Sequence, residues 1–221
     1  MLSSFNEDLS QKTLICSTSG HFFVKKGEVL GFETDTVWGV GCLPDDELAA
    51  DKIYEIKGRD RTKPLILMSN NIESLLRYTS YVPEYAKILM DKYFPGALTL
   101  IFKKNTRVKD FVTSGKDTVG IRVPAHSGFS ILCEKIAGNV LATTSLNYSN
   151  EPPVPSYEEA CEKFGKLATV INPKTLQNFE SGEKTKNALA ANSPLITGVS
   201  STVVLCTGDE PVVLRQGDVY I

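Results

Sequence analysis

Apolar and polar positions along the chain switch between two periods, and the switches mark the elements. Residues 29–41 begin apolar, pass through Thr34-Asp35-Thr36 and reach Val37, Trp38 and two glycines, which predicts a strand running into a loop where backbone can approach a ligand. Leu48, Ile53 and Ile56 then recur at roughly helical spacing behind Asp45 and Asp46, so a helix ending near Lys57 is expected. Residues 64–69 read as a strand, and Asn70 with Glu73 forms a capping box for the helix that follows. Pro83 is placed in the first turn of another helix reaching about Tyr93, and Pro95-Gly96 separates it from an alternating strand at 97–103.

The second half repeats the theme. Residues 118–123 alternate cleanly, residues 127–137 carry Ile131, Leu132 and Ile136 on one helical face with Gly138 to end it, and 140–145 resume as strand. Ser156 and Glu159 make a second capping box, and the polar stretch 172–197 reads as a long surface loop or irregular insertion. Strands at 201–206 and 211–216 flank Gly208 and Asp209, so the chain is expected to finish in a hairpin. Antiparallel closure beside strand-helix alternation implies an α/β or α+β protein with a mixed sheet. No repeat or linker divides residues 1–221, so one domain is the expectation.

Composition narrows the function classes. At 221 residues with 42% hydrophobic and 23% charged side chains, the chain can bury one sizeable core. A formal charge of -2 provides no overall positive field toward nucleic acid or membrane, so any anion site must be local. The five cysteines form no CxxC pair, which fits a reducing compartment and small buried apolar roles rather than chemistry. The opening twenty residues fit no signal peptide, and nowhere do about eighteen apolar residues run together. A soluble, cytoplasmic protein without a membrane partner is expected. His21 and His126 lack metal-ligand partners at useful spacing, and no metal site is predicted.

Between Lys57 and Pro64, basic residues recur at every second position: Lys57, Arg59, Arg61 and Lys63. If extended, they share a face spanning roughly 20 Å, enough to track a triphosphate, although a solvated charge run has the same pattern. A phosphate-loop motif is absent, so ATP would be held by side chains. Thr34 and Thr36 are expected on one strand face and Asp35 on the other. Arg122 shares its face with Thr118 and Gly120, and it must either pair with an acidic side chain or capture a ligand carboxylate. Ser145 and Asn147 lie together at a strand's carboxyl end, where α/β sheets commonly bind ligands, though the same residues also start turns. Hairpin geometry places Ser201 near Arg215 or Gln216.

Together these residues resemble the YrdC-like family, and within it the short TsaC-type threonylcarbamoyl-AMP synthases. Residues 33–39, Glu33-Thr-Asp-Thr-Val-Trp-Gly, resemble the family's PTxTVYG strand, Lys57-Gly-Arg59 its KxR motif, Ile121-Arg-Val-Pro its RxP strand and Ser145-Leu-Asn147 its SxN motif. Ser201-Thr-Val-Val and Leu214-Arg-Gln-Gly complete a series in family order over nearly the whole chain. The resemblance implies a YrdC-like twisted open mixed sheet with flanking helices and a concave basic face, without the extra carboxyl-terminal domain of longer members.

By position, the resemblance assigns Thr34, Ile66, Arg122, Thr143 and Ser201 to L-threonine. It assigns Lys57, Arg59, Arg61, Thr118, Ser145, Asn147, Pro153 and Arg215 to ATP, with Lys57 and Arg59 stabilising phosphate charge. The implied reaction joins L-threonine, bicarbonate or CO2, and ATP into threonylcarbamoyl-AMP and pyrophosphate for tRNA threonylcarbamoyladenosine modification. Mg2+ would come with ATP, no general base is assigned, and a tRNA threonylcarbamoyltransferase complex would act downstream. Glu33, Trp38 and Met68 depart from the family's proline, tyrosine and histidine, Ser149-Asn150 follows SxN in place of Ser-Gly, and Asp-Gly-Gly is missing before Ser201. The rival readings are a YrdC-fold paralogue that binds nucleotide or RNA, including double-stranded RNA or tRNA, without threonine chemistry, and an enzyme using carbamoyl phosphate.

Overall fold

A computed structural model of the chain describes residues 15–16, 22–177 and 196–221. The opening residues 1–14, His21, and most of the expected polar loop, residues 178–195, lie outside the described residues. Strands β1 (Ile15–Cys16) and β2 (Phe22–Phe23) pair with each other. Next come β3 (Leu30–Phe32), β4 (Gly39–Cys42), α1 (Glu47–Lys57), β5 (Ile66–Met68), α2 (Ile72–Leu76), α3 (Glu84–Tyr93) and β6 (Leu98–Lys103). The remainder runs α4 (Asp110–Thr113), β7 (Thr118–Arg122), α5 (Ser127–Lys135), β8 (Leu141–Ser145), α6 (Tyr157–Phe164), β9 (Thr169–Val170), α7 (Pro173–Gln177), β10 (Thr202–Leu205) and β11 (Val212–Arg215).

Local chemistry explains most boundaries. Asp46 caps α1 by accepting from the Ala49 N–H at 3.1 Å, and Gly58 ends it at φ 57°, a left-handed position that a side chain would strain. Ser156 caps α6 through the Glu159 N–H at 3.2 Å, as its capping box predicts. The α2 cap is Asn71, one residue later than expected, because the Asn70 amide turns toward Ser130 and Glu134 of α5. Pro83 is likewise the cap of α3 rather than a residue of its first turn. The sequence pattern does not predict the short α4, β9 and α7, since two to five residues carry too little periodicity to show.

Nine described strands form one mixed sheet, ordered β11-β10-β6-β7-β5-β8-β4-β3-β9. Three of its pairings are parallel, β10 with β6, β5 with β7 and β3 with β9, while the rest are antiparallel. Strand periodicity then divides the core. Leu67, Leu98, Leu100, Phe102, Val119, Ile121, Ala142 and Val204 point to one face, where they meet Ala49, Ile53, Leu75, Met90 and Phe164 from α1, α2, α3 and α6. On the other face α5 and α7 cover only Leu30, Phe32, Met68 and Leu141, through Phe129, Leu132 and Leu176. Among the described residues no helix covers the opposite-face residues Thr99, Ile101, Thr118, Gly120, Thr143, Ser145 and Val203, which line a cavity instead, and that bare stretch is where the site lies.

Candidate active site

The bare face holds a cavity of about 330 Å³, within the usual range for small-molecule sites. Its floor is read directly from the strand registers. Gly120 lies between Ile101 on β6 and Ile66 on β5, and Ile66 in turn lies beside Thr143 on β8. A Cβ on Gly120 would approach the Ile66 methyl to 2.8 Å, so glycine keeps the centre of the floor low. Thr118, Arg122, Thr99, Val203 and Ser201 extend this floor, and Arg59, Lys116 and Arg215 add cations around it.

The segment between β3 and β4 forms one end. Residues 33–38 make a bend rather than the expected strand, so the alternation argument for Thr34, Asp35 and Thr36 does not apply. The two hydroxyls nevertheless meet, at 3.2 Å, because Thr34 Oγ1 accepts from the N–H groups of Thr36 and Val37 and donates to the Val37 carbonyl at 2.6 Å. Arg122, only 2% exposed, reaches across to this bend. Its Nη2 donates to Asp35 Oδ1 at 2.5 Å, Nη1 to Thr36 Oγ1 at 2.8 Å and Nε to the Gly96 carbonyl at 3.0 Å. Of the two alternatives for this arginine, the structure shows the acidic partner. Burial pulls the guanidinium below its ordinary pKa, and Asp35 opposes that pull.

A second correction concerns the alternate cations. Lys57 is the last residue of α1 and Gly58 reverses the chain, so residues 57–63 are not extended and the four side chains share no face. Arg59 reaches the cavity, braced by the carbonyls of Lys63 and Pro64 at 3.2 and 3.1 Å. Arg61 points away, ion-paired with Asp51 and stacked 5.4 Å from the Tyr54 ring centre. Lys57 turns inward beneath the turn after β8. Its Nζ donates to the Ser145 carbonyl at 2.5 Å, the Asn147 carbonyl at 2.7 Å and Asn147 Oδ1 at 2.9 Å.

Asn147 is equally committed. It accepts from Ser145 Oγ at 2.6 Å and donates to the carbonyls of Tyr148 and Glu151. Ser145 therefore lines the cavity while Lys57, Asn147 and Pro153 are absent from its lining. Burial, with repulsion from Arg59, lowers the Lys57 pKa from 10.5 to about 7, while its three carbonyl acceptors favour the charged form. A folded-state value below the unfolded one means that the unfolded chain binds more protons between about 7 and 10.5, so stability should rise with pH in that window. Urea unfolding at pH 7 and about 9.5 checks this, with Lys57→Met expected to lose the rise; parallel curves for both proteins would exclude it.

The terminal hairpin closes the other side. Val203 pairs with Arg215, and Arg215 donates through Nη2 and Nε to the Ser201 carbonyl at 2.7 and 3.2 Å, as the hairpin geometry predicts. Ser201 Oγ lies 2.8 Å from Thr99 Oγ1, adding a hydroxyl that the sequence reading missed although the alternation of β6 contains it. At Gly217 a Cβ would stand 2.2 Å from the Ser200 carbonyl oxygen, so only glycine lets the chain pass this close behind Ser201. Burial also lowers the pKa of Arg215. Met68 lines the cavity, Trp38 reaches its wall from a fully buried position, and Glu33 lies outside it with Oε2 3.6 Å from His126 Nε2.

Paired hydroxyls, a buried arginine and further guanidinium groups thus stand together over one face of the sheet. The family model Sua5/YciO/YrdC, described as telomere recombination, matches residues 23–217, and the chain belongs to that family. It is 33% identical to the threonylcarbamoyl-AMP synthase of Pyrococcus abyssi (strain GE5 / Orsay) over 88% of this chain and 52% of the relative. The Bacillus subtilis (strain 168) threonylcarbamoyl-AMP synthase is 34% identical over 89% of this chain and 51% of its own length. The chain thus spans about half the length of these two relatives. Among solved structures, P. abyssi Sua5 complexed with L-threonine superposes with a TM-score of 0.74 at 33% identity, covering 88% of this chain and 52% of that one. E. coli YciO gives 0.67 at 25% identity, covering 87% and 84%.

Proposed function

We propose that this protein makes threonylcarbamoyl-AMP and pyrophosphate from L-threonine, bicarbonate or CO2, and ATP. The observation that carries the reading is a single cavity lined by the hydroxyls of Thr34, Thr36, Thr143 and Ser201 beside Arg122, and by Arg59, Thr118 and Arg215. The names of the relatives and the threonine-bound neighbour support the same choice. Thr34, Ile66, Arg122, Thr143 and Ser201 would receive the amino acid. Arg59, Thr118, Ser145 and Arg215 would receive ATP. Lys57 and Asn147 would act through the turn they hold, and Arg61 and Pro153 stand outside the cavity lining.

In this reading the threonine amine adds CO2 and loses a proton to give a carbamate. A carbamate oxygen then attacks the α-phosphorus, forming the P–O bond as the bond to pyrophosphate breaks. Positioning of two bound substrates supplies much of the rate, and guanidinium groups stabilise charge on the phosphate oxygens. None of the described residues lining the cavity is acidic, and Asp35 is committed to Arg122, so the lining forms no carboxylate cage for magnesium. Any Mg2+ would enter as part of the nucleotide substrate. The adenylate would pass to a tRNA-modifying transferase.

The decisive assay follows pyrophosphate release from ATP with mass detection of the adenylate. Release that requires both L-threonine and bicarbonate is expected. Tight RNA binding without ATP binding, or ATP turnover indifferent to threonine, would instead favour the paralogue reading.

A further inference from the structure

We infer that Lys116 is a phosphate contact of this cavity, one that neither the motifs nor the comparisons assign. The inference rests on the nucleotide reading above and extends it to a particular side chain. Lys116 lines the cavity together with Thr118, Gly120 and Arg122. The four form a row along the cavity, Thr118, Gly120 and Arg122 by the two-residue spacing of β7 and Lys116 from the turn and bend that lead into it.

The two ends of the row differ in charge. At one end the Arg122 guanidinium is bound by Asp35, Thr36 and the Gly96 carbonyl. At the other, Lys116 is exposed, and its ammonium has no hydrogen-bond or ion-pair partner among the described residues. Arg215 and Arg59, by contrast, each commit two nitrogens to backbone carbonyls. The position of Lys116 is set by its backbone. Ser114 and Gly115 turn at φ 54° and 73°, the Lys116 N–H donates to the Thr113 carbonyl at 3.0 Å, and the Asp117 carbonyl accepts from Lys104 N–H at 2.9 Å. With no acidic side chain among the described residues of the lining, a free ammonium beside Thr118 is suited to the terminal phosphates of a nucleoside triphosphate.

Calorimetric titration of the full chain and of Lys116→Gln with ATP, AMP, inorganic tripolyphosphate and L-threonine tests this. The variant should fold normally, because the Lys116 side chain is exposed and its ammonium makes no hydrogen bond or ion pair among the described residues. Expected is a loss of about fivefold to twentyfold in affinity for ATP and tripolyphosphate, with AMP and threonine within about twofold, and recovery in Lys116→Arg. Added salt should narrow the gap. Unchanged ATP affinity in Lys116→Gln, with the wild type binding ATP, overturns the inference and leaves the proposed reaction standing. An equal loss for AMP and ATP also overturns it. Lysine-dependent tripolyphosphate binding in a chain that ignores ATP would support the phosphate contact and remove the nucleotide reading. Failure of the wild type to bind either would remove both.

Discussion

Arg59→Ala is expected to lower threonine-dependent pyrophosphate release by about 10²-fold with little change in stability, whereas Lys57→Ala is expected to lose both. The two residues stand two apart in one motif, yet the structure gives them different work. Arg59 lies on the cavity wall with a guanidinium braced by carbonyls of its own turn, so its removal takes charge from the site and leaves the core intact. Lys57 is 2% exposed and joins the end of α1 to the turn after β8 through three acceptors. Truncating it leaves a void and stranded carbonyls, at a cost of about 2–4 kcal/mol. Steady-state kinetics and urea unfolding on both variants make the comparison. A Lys57→Ala protein as stable as wild type but inactive would show that the lysine meets substrate directly.

Asp35→Ala should be the most destabilising single change in the site, by about 3–5 kcal/mol, because it strands the Arg122 guanidinium in the interior. Both side chains are nearly inaccessible, at 3% for Arg122 and 6% for Asp35, so water cannot replace the lost partner. Removing both charges in an Asp35→Leu, Arg122→Met variant should recover much of that stability, since the desolvation cost vanishes with the pair. Threonine affinity would remain lost, because the hydroxyls of Thr34 and Thr36 would face no cation. Denaturant unfolding of the two variants and threonine calorimetry check this. A loss below about 1 kcal/mol in Asp35→Ala would mean that the pair is not closed in solution.

Residues near in sequence and residues near in space were legible to different degrees. The end of α1 at Lys57, the Ser156 cap and the contact of Arg215 with Ser201 all follow from patterns spanning a few residues or one hairpin. The cations at 57–63 share no face because alternation reveals one only when the chain is extended, and Gly58 bends it. The acid that pairs with Arg122 lies 87 residues away in the sequence, and the bend at 33–38 presents Asp35 to it in a way that strand periodicity does not foresee. Thr99 and Lys116 carried no motif, and they became candidates only when β6 and β7 were seen to share the bare face.

By itself the sequence determined the mixed sheet, the helices with strong caps, the closing hairpin and the family, because each is written in local periodicity, capping chemistry or the order of short motifs. Only the tertiary structure decided which charges are spent and which are available. That depends on the neighbours of each side chain across strands and on the water they exclude, and a linear pattern records neither.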